Sequence, residues 1–317
     1  MSNNLPLVSI GALNYNNTKF VIEALNSVAA QTYANIELII IDDGSKDDSL
    51  EKIKNWLKGY NKPFKLIEHI QNKGVQDGYT SIINNSTGEY LSIFATDDLL
   101  HPDKVSNQID AFLQLDKSFG VVYGDVQDVD EYGIPLRLPS FEKKFLEHPN
   151  WKMPIGDVFL NMVEHFAFYV QASMFRKKVL EENRFSFPEK FISEDWYFLL
   201  FITRYSKAYG INQVSTFYRS HNNSITSTNN TDDKYHNWAL SNAQLFICVS
   251  KFKENTRAEK MAMSMQVQGQ VLRYAYHPKS EYRKALRTWY DALVMPGLTL
   301  QLKSLFYIHW FKIKKLF

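Results

Sequence analysis

Short apolar runs alternate with helix-spaced segments along the first 125 residues. Residues 7–13 form an apolar run that reads as a buried strand, and 36–41 (Ile-Glu-Leu-Ile-Ile-Ile) reads as a central one. Two further strands are predicted at 64–70 and 89–94, and another at 120–123. Between them, Val21, Ile22, Leu25, Val28 and Ala29 fall at helical spacing within 20–31. A second helix runs through Ile53, Trp56 and Leu57, with Asp47 or Asp48 as its N-cap. A third is predicted over 79–85, stopped by Gly88, and a fourth over 102–115. Beyond 126 the periodicity weakens, apart from a helix-like stretch at 195–205. Residues 220–234 are rich in Asn, Ser and Thr and read as a flexible boundary or lid. A mostly helical tail is expected over 235–317.

Strand–helix alternation of this kind predicts an α/β fold with a parallel sheet covered on both faces. In open sheets of that type, ligands bind beyond the carboxyl ends of the strands. Three polar clusters stand at predicted strand ends: Asn14-Tyr15, Asp42-Asp43 and Thr96-Asp97-Asp98. Adjacent carboxylates repel one another, and a divalent cation shared with a phosphate-bearing substrate relieves that repulsion. Asp97-Asp98 reads equally as a turn that caps the helix beginning near Pro102. Asp42-Asp43-Gly44-Ser45 offers carboxylates to a nucleobase edge, or closes a turn, or contributes to an acid pocket of the phospho-receiver kind. A dinucleotide fingerprint and a P-loop are both absent.

Composition narrows the classes. The chain has 317 residues, 45% hydrophobic and 22% charged, ample for a packed core. Thirty-six basic residues against 34 acidic leave a net charge of +2, which gives no footprint for nucleic acid. Cys248 is the single cysteine, so neither an intrachain disulfide nor a cysteine metal cluster is available, and a reducing, cytoplasmic setting is expected. Neither a signal peptide nor a membrane-spanning run is expected. Residues 298–317 carry four Lys, no acid and many aromatics. Such an end either lies on an anionic membrane surface, packs on the domain, or forms a contact between copies in a homo-oligomer. The high aromatic content, 15%, fits core filling first and a sugar or base site second.

Taken in order, Val8-Ser9-Ile10, Asn14-Tyr15-Asn16, Ser27 to Tyr33, Ile40-Ile41-Asp42-Asp43-Gly44-Ser45, Asn72-Lys73-Gly74, Gly88-Glu89-Tyr90-Leu91 and Thr96-Asp97-Asp98 resemble the inverting, family 2 (GT-A) nucleotide-sugar glycosyltransferases. The resemblance resumes at Ser193-Glu194-Asp195-Trp196 and at Tyr218-Arg219-Ser220-His221-Asn222-Asn223-Ser224. It implies a GT-A, Rossmann-like, mostly parallel sheet flanked by helices over 1–226, with 1–125 as the nucleotide half and 126–226 as the acceptor half. A helical region over 227–317 would follow.

By the same resemblance, Asn14, Tyr15, Asp42, Asp43, Asn72, Lys73, Gly74, Thr96 and Asp97 contact the nucleotide, with Asp43 on the base. Asp97, Asp98 and His221 hold a divalent cation, Mn²⁺ or Mg²⁺. Ala95 stands where the family's metal motif usually begins with Asp, and Tyr79 stands where an Arg often follows the nucleotide loop. Asp195 matches the catalytic base, with Glu194 beside it; both also suit the positive end of a helix. His221 reads otherwise as a loop histidine. The implied reaction moves a sugar from a nucleoside diphosphate donor, with UDP expected, to a glycan or lipid-linked hydroxyl in surface-polysaccharide synthesis at the inner face of the membrane. A non-catalytic nucleotide-sugar-binding protein is the competing reading, because of Ala95.

Overall fold

The computed structural model describes residues 5–188, 190, 192–221, 232–252 and 255–275. The polar stretch 222–231, with Asn222, Asn223 and Ser224, and the basic tail 298–317 lie outside the described residues. The chain divides into two compact units. The first draws on Met1–Met162, Phe166–Phe187 and Phe201–Thr228, the second on Val163–His165, Pro188–Leu200 and Asn229–Phe317.

The first unit is built on β1 (Val8–Asn14), α1 (Val21–Ala29), β2 (Ile36–Asp42), α2 (Ser49–Leu57), β3 (Phe64–Glu68), α3 (Val75–Asn85), β4 (Tyr90–Ala95), β5 (Leu99–Leu100), α4 (Lys104–Gln114) and β6 (Phe119–Val129). It continues with α5 (Ser140–Glu147), the start of α6 (Phe159–Glu164), β7 (Ser173–Arg176) and α7 (Lys177–Glu182), then receives the end of α8 (Glu194–Tyr205) and β8 (Lys207–Arg219). The eight strands form one sheet in the order β3-β2-β1-β4-β7-β6-β8-β5. The β3-β2-β1-β4 block is parallel, β7 runs antiparallel to both neighbours, and β8 returns parallel to β6.

Alternation along the strands decides which helix covers which face. Val8, Ile10, Ala12, Leu38 and Ile40 join the cluster that packs under Val21, Leu25 and Val28 of α1, Ile53 of α2, and Val105, Ile109 and Phe112 of α4. The opposite face meets α3, and Gly78 makes that approach possible: a Cβ there would lie 2.6 Å from a Leu13 methyl. The parallel sheet is thus covered on both sides, which is why β2 is buried throughout.

The α/β expectation holds over the first 125 residues, and several boundaries differ from it. Helix α3 begins at Val75, four residues before the apolar spacing starts. Its first turn carries Gln76, Asp77 and Gly78 after a single apolar Val75, which gives periodicity nothing to mark. Strand β6 extends to Val129 through Asp125, Gln127 and Asp128, all buried. Strands β5, β7 and β8 are short or irregular and escaped the pattern. At β7 the sheet is tied by Lys104, fully buried, whose Nζ donates to Ser92 Oγ (2.8 Å), Gln108 Oε1 (2.9 Å) and the Ser173 carbonyl (3.0 Å). Burial lowers its pKa to about 7.

The second unit contains the start of α8 and the helices α9 (Asp232–Ser250) and α10 (Arg257–Ala275). Among the described residues no helix is long and apolar enough to cross a membrane.

Candidate active site at the carboxyl ends of the strands

Register places the first cluster. Asn14 pairs with Asp42 across β1 and β2, and Leu13 pairs with Ala95 across β1 and β4, so Thr96 stands beside Asn14. These polar side chains are buried and satisfy one another. Asn14 Nδ2 donates to Asp42 Oδ1 at 2.7 Å, and Asn14 Oδ1 accepts from Thr96 Oγ1 at 2.7 Å. Ser45 closes the turn with its hydroxyl on Asp42 Oδ1 (2.6 Å) and its N–H on Asp42 Oδ2 (3.1 Å). Asn17 adds a bond to Thr96 Oγ1 at 3.1 Å. A buried amide and carboxylate cost several kcal/mol unless bonded; here they lock three strand ends in one row. Tyr15, next in the chain, is exposed.

Asp43 is buried too, and it organises a neighbouring loop. Its Oδ1 accepts from the Lys73 N–H (2.9 Å) and faces His69 Nδ1 (2.7 Å), while Oδ2 accepts from the Gly74 N–H (2.9 Å). The segment Asn72-Lys73-Gly74 is therefore held against the end of β2. Gly44 sits at φ +72°, and a Cβ on it would fall 2.6 Å from the Gln71 carbonyl carbon. Only glycine fits a left-handed turn pressed that closely on the next loop. Sequence reading missed His69, which stands just past the end of β3 with nothing in its neighbours to mark it.

The third cluster joins β4 to the end of β8. His221 Nε2 lies 3.2 Å from Asp97 Oδ2. Asp98 turns inward: it is buried, and its Oδ1 accepts from the Arg219 N–H at 3.0 Å. Burial, with the Asp97 charge second, holds the Asp98 carboxyl well above the usual carboxylate range. Arg219 is fully buried and reaches three segments, with Nε on the Asp97 carbonyl (2.9 Å), Nη1 on the Glu131 carbonyl and Nη2 on Glu23 Oε2 (2.7 Å). The motif around His221 contains Arg219, yet its role was not legible before these contacts were known. Among the described residues no three His, Cys, Asp or Glu side chains stand together as a metal-binding group. Asp97 and His221 offer two donors, and one Asp98 oxygen is already engaged.

Glu194 and Asp195 open α8 in the second unit. Asp195 Oδ1 accepts from the Trp196 N–H at 2.8 Å. Within this unit the start of α8 is pinned by the Trp196 ring, which meets Phe246 of α9 edge-on at 4.9 Å, and by the Ile192 N–H on Ser241 Oγ at 2.8 Å. Burial, then the Asp195 charge, pushes the Glu194 carboxyl up to about 8. Burial also raises Asp195, partly offset by the backbone N–H bonds it accepts.

Comparison with known proteins agrees with this architecture. The profile of glycosyl transferase family 2 matches residues 9–182, more than half of the chain. An uncharacterized glycosyltransferase of Rickettsia felis is 36% identical over 132 residues, 42% of this chain; the match spans about a fifth (21%) of that relative's length. Among solved structures, S. aureus TarS 1-349 in complex with UDP-GlcNAc superposes with a TM-score of 0.67 at 15% identity, covering 92% of this chain and 82% of that one. The mannosyltransferase PcManGT of Pyrobaculum calidifontis, in complex with GDP-Man and Mn²⁺, gives 0.58 at 15% identity, with 93% and 83% covered. The family match runs from β1 through β7. The chain belongs to glycosyl transferase family 2.

Proposed function

We propose that this protein transfers a sugar from a nucleoside diphosphate sugar, with UDP as the nucleotide, to a hydroxyl of a glycan or lipid-linked acceptor, with inversion at the anomeric carbon. The observation that supports the reading is the Asp97–His221 pair at the carboxyl edge of the parallel strands, beside the locked row of Asn14, Asp42 and Thr96. TarS was solved with UDP-GlcNAc and PcManGT with GDP-Man and Mn²⁺; carried to this chain, they favour the same donor class.

In this reading, Tyr15 and Asp43 with the loop at Asn72, Lys73 and Gly74 hold the nucleoside. A carboxylate oxygen suits Mn²⁺ and Mg²⁺ alike, while an imidazole nitrogen beside it is accepted more readily by Mn²⁺ than by the harder Mg²⁺. Asp97 and His221 would hold that cation, which when bound offsets the negative charge that builds on the leaving diphosphate. Asp98, one oxygen of which holds the Arg219 N–H, supports Asp97 through the Arg219 guanidinium on the Asp97 carbonyl. Asp195 takes the proton of the acceptor hydroxyl as its oxygen bonds to the anomeric carbon and the bond to the diphosphate breaks. A single displacement with one base inverts the centre. Glu194, protonated at neutral pH, orients the acceptor by donating a hydrogen bond. We assign the glycosyltransferase domain to 1–226 and surface-polysaccharide assembly at the inner membrane face as its setting.

The test is a calorimetric screen of nucleotide sugars with and without Mn²⁺, followed by transfer and hydrolysis assays on the donors that bind. Mn²⁺-dependent binding with turnover is expected. Binding with no turnover on any acceptor would return the non-catalytic reading that Ala95 allows. No binding of any nucleotide sugar would overturn the proposal.

A further inference from the structure

We infer that Phe20 and Arg219 form a rigid seat that fixes His221 against Asp97, which makes both of them positioning residues for the diphosphate end of the site. The inference rests on the reading proposed above and extends it to two side chains that need not touch any ligand.

Arg219 is 1% exposed, so its charge has left water and every guanidinium donor needs an acceptor. Its three nitrogens reach three separate segments: the turn after β4 at Asp97, the turn after β6 at Glu131, and α1 at Glu23. Two of those acceptors are backbone carbonyls, so the guanidinium holds the chain itself at Asp97 and Glu131. Its own N–H is fixed on Asp98. Two residues further on, His221 emerges from this anchored point.

Phe20 completes the seat. Its ring lies 4.7 Å below the guanidinium and 4.7 Å from the His221 ring, tilted by 51°. One aromatic ring thus contacts both the anchor and the imidazole it delivers. The side chain of His221 is nearly covered, at 5% exposure, while that of Asp97 is 22% exposed, so the pair is reached from the Asp97 side. A lysine at 219 would keep the charge, yet one ammonium cannot point along the three directions that the planar fork serves. Residues that orient a metal ligand without binding the metal are worth about 10–100-fold in metal affinity.

The experiment measures UDP affinity by calorimetry, with and without saturating Mn²⁺, on the full chain and on Arg219→Lys and Phe20→Leu, with thermal melts as the check on folding. In both variants, UDP affinity without metal should stay within about twofold, while the gain given by Mn²⁺ falls by about tenfold or more. Phe20→Leu keeps a buried apolar side chain and carries the test if Arg219→Lys does not fold. An undiminished Mn²⁺ gain in a folded variant overturns the inference. So does an equal loss of UDP affinity with and without metal, which assigns a purely structural role. A wild-type chain that binds UDP but shows no Mn²⁺ gain removes the cation reading, and this inference with it.

Discussion

At the scale of single residues, the charged side chains of this protein divide by what surrounds them. Glu37 is buried at the amino-terminal edge of the sheet, where it accepts from Ser9 Oγ, the Thr87 N–H, Thr87 Oγ1 (2.9 Å) and the Gly88 N–H (3.1 Å). Burial opposes its charge, but the donors outweigh it and hold the carboxyl below its ordinary value. A depressed carboxylate stabilises the fold at pH above its unfolded pKa, and that stability is lost as pH falls through the folded value. Glu37→Gln should therefore cost about 2–4 kcal/mol near neutrality, the scale of several hydrogen bonds to a charge. The gap to wild type should close in acid, as read by urea denaturation across pH. A gap independent of pH would assign the loss to packing. Asp97 is the opposite case, a carboxylate left reachable. Asp97→Ala should lower turnover by at least about 10²-fold and abolish any Mn²⁺ effect on UDP binding, with the melting temperature little changed.

At the scale of elements, the turns after the strands carry as much information as the strands. The turn after β2 and the loop after β3 touch through Gly44. Gly44→Ala should add about 1–2 kcal/mol of left-handed backbone strain and displace the loop that Asp43 holds. Weaker UDP binding by titration should accompany the loss of stability; unchanged binding would detach this loop from the nucleotide. Helix α8 offers the second test. Asp195→Asn keeps size but accepts no proton, so turnover should fall by roughly 10²–10⁴ with donor binding retained. Because burial raises the Asp195 carboxyl, the acidic limb of the wild-type rate profile should lie above the ordinary aspartate value. Glu194→Gln should be milder in rate. Glu194 keeps its proton up to about 8 when folded against 4.5 unperturbed, so the folded chain binds the extra proton in that window and stability falls with rising pH. The variant should flatten that fall, measured by thermal melts between the two values. The reverse ranking of rates would move the base role to Glu194.

At the scale of the whole molecule, a ligand that binds only the folded chain stabilises it by mass action, about 2.7 kcal/mol at a hundred times its dissociation constant. Where that stabilisation appears is a prediction of the topology. Hydrogen exchange with UDP and Mn²⁺ should slow most at the carboxyl ends of β1, β2 and β4, in the loop at 69–74 and at the end of β8. Protection confined to the amino-terminal edge around Glu37 and Thr87 would place the nucleotide elsewhere.

The sequence by itself determined the layered α/β architecture of the first 125 residues, because apolar runs and helical spacing are local signals that survive without knowledge of neighbours. From that alternation, the rule that parallel crossovers bring strand ends to the same side leads to the expectation that Asn14-Tyr15, Asp42-Asp43 and Asp97-Asp98 share one edge. What it could not determine was which of those residues are free to act. Tertiary pairing alone decided that Asn14, Asp42 and Thr96 satisfy one another, that Asp43 holds the loop at Lys73 and Gly74, and that Asp98 faces the backbone of β8. The irregular strands β7 and β8 were hidden for the same reason. Their polar residues find partners far along the chain, as Arg219 at the end of β8 does with Asp98, 121 positions away, and no local pattern encodes a bond across that distance.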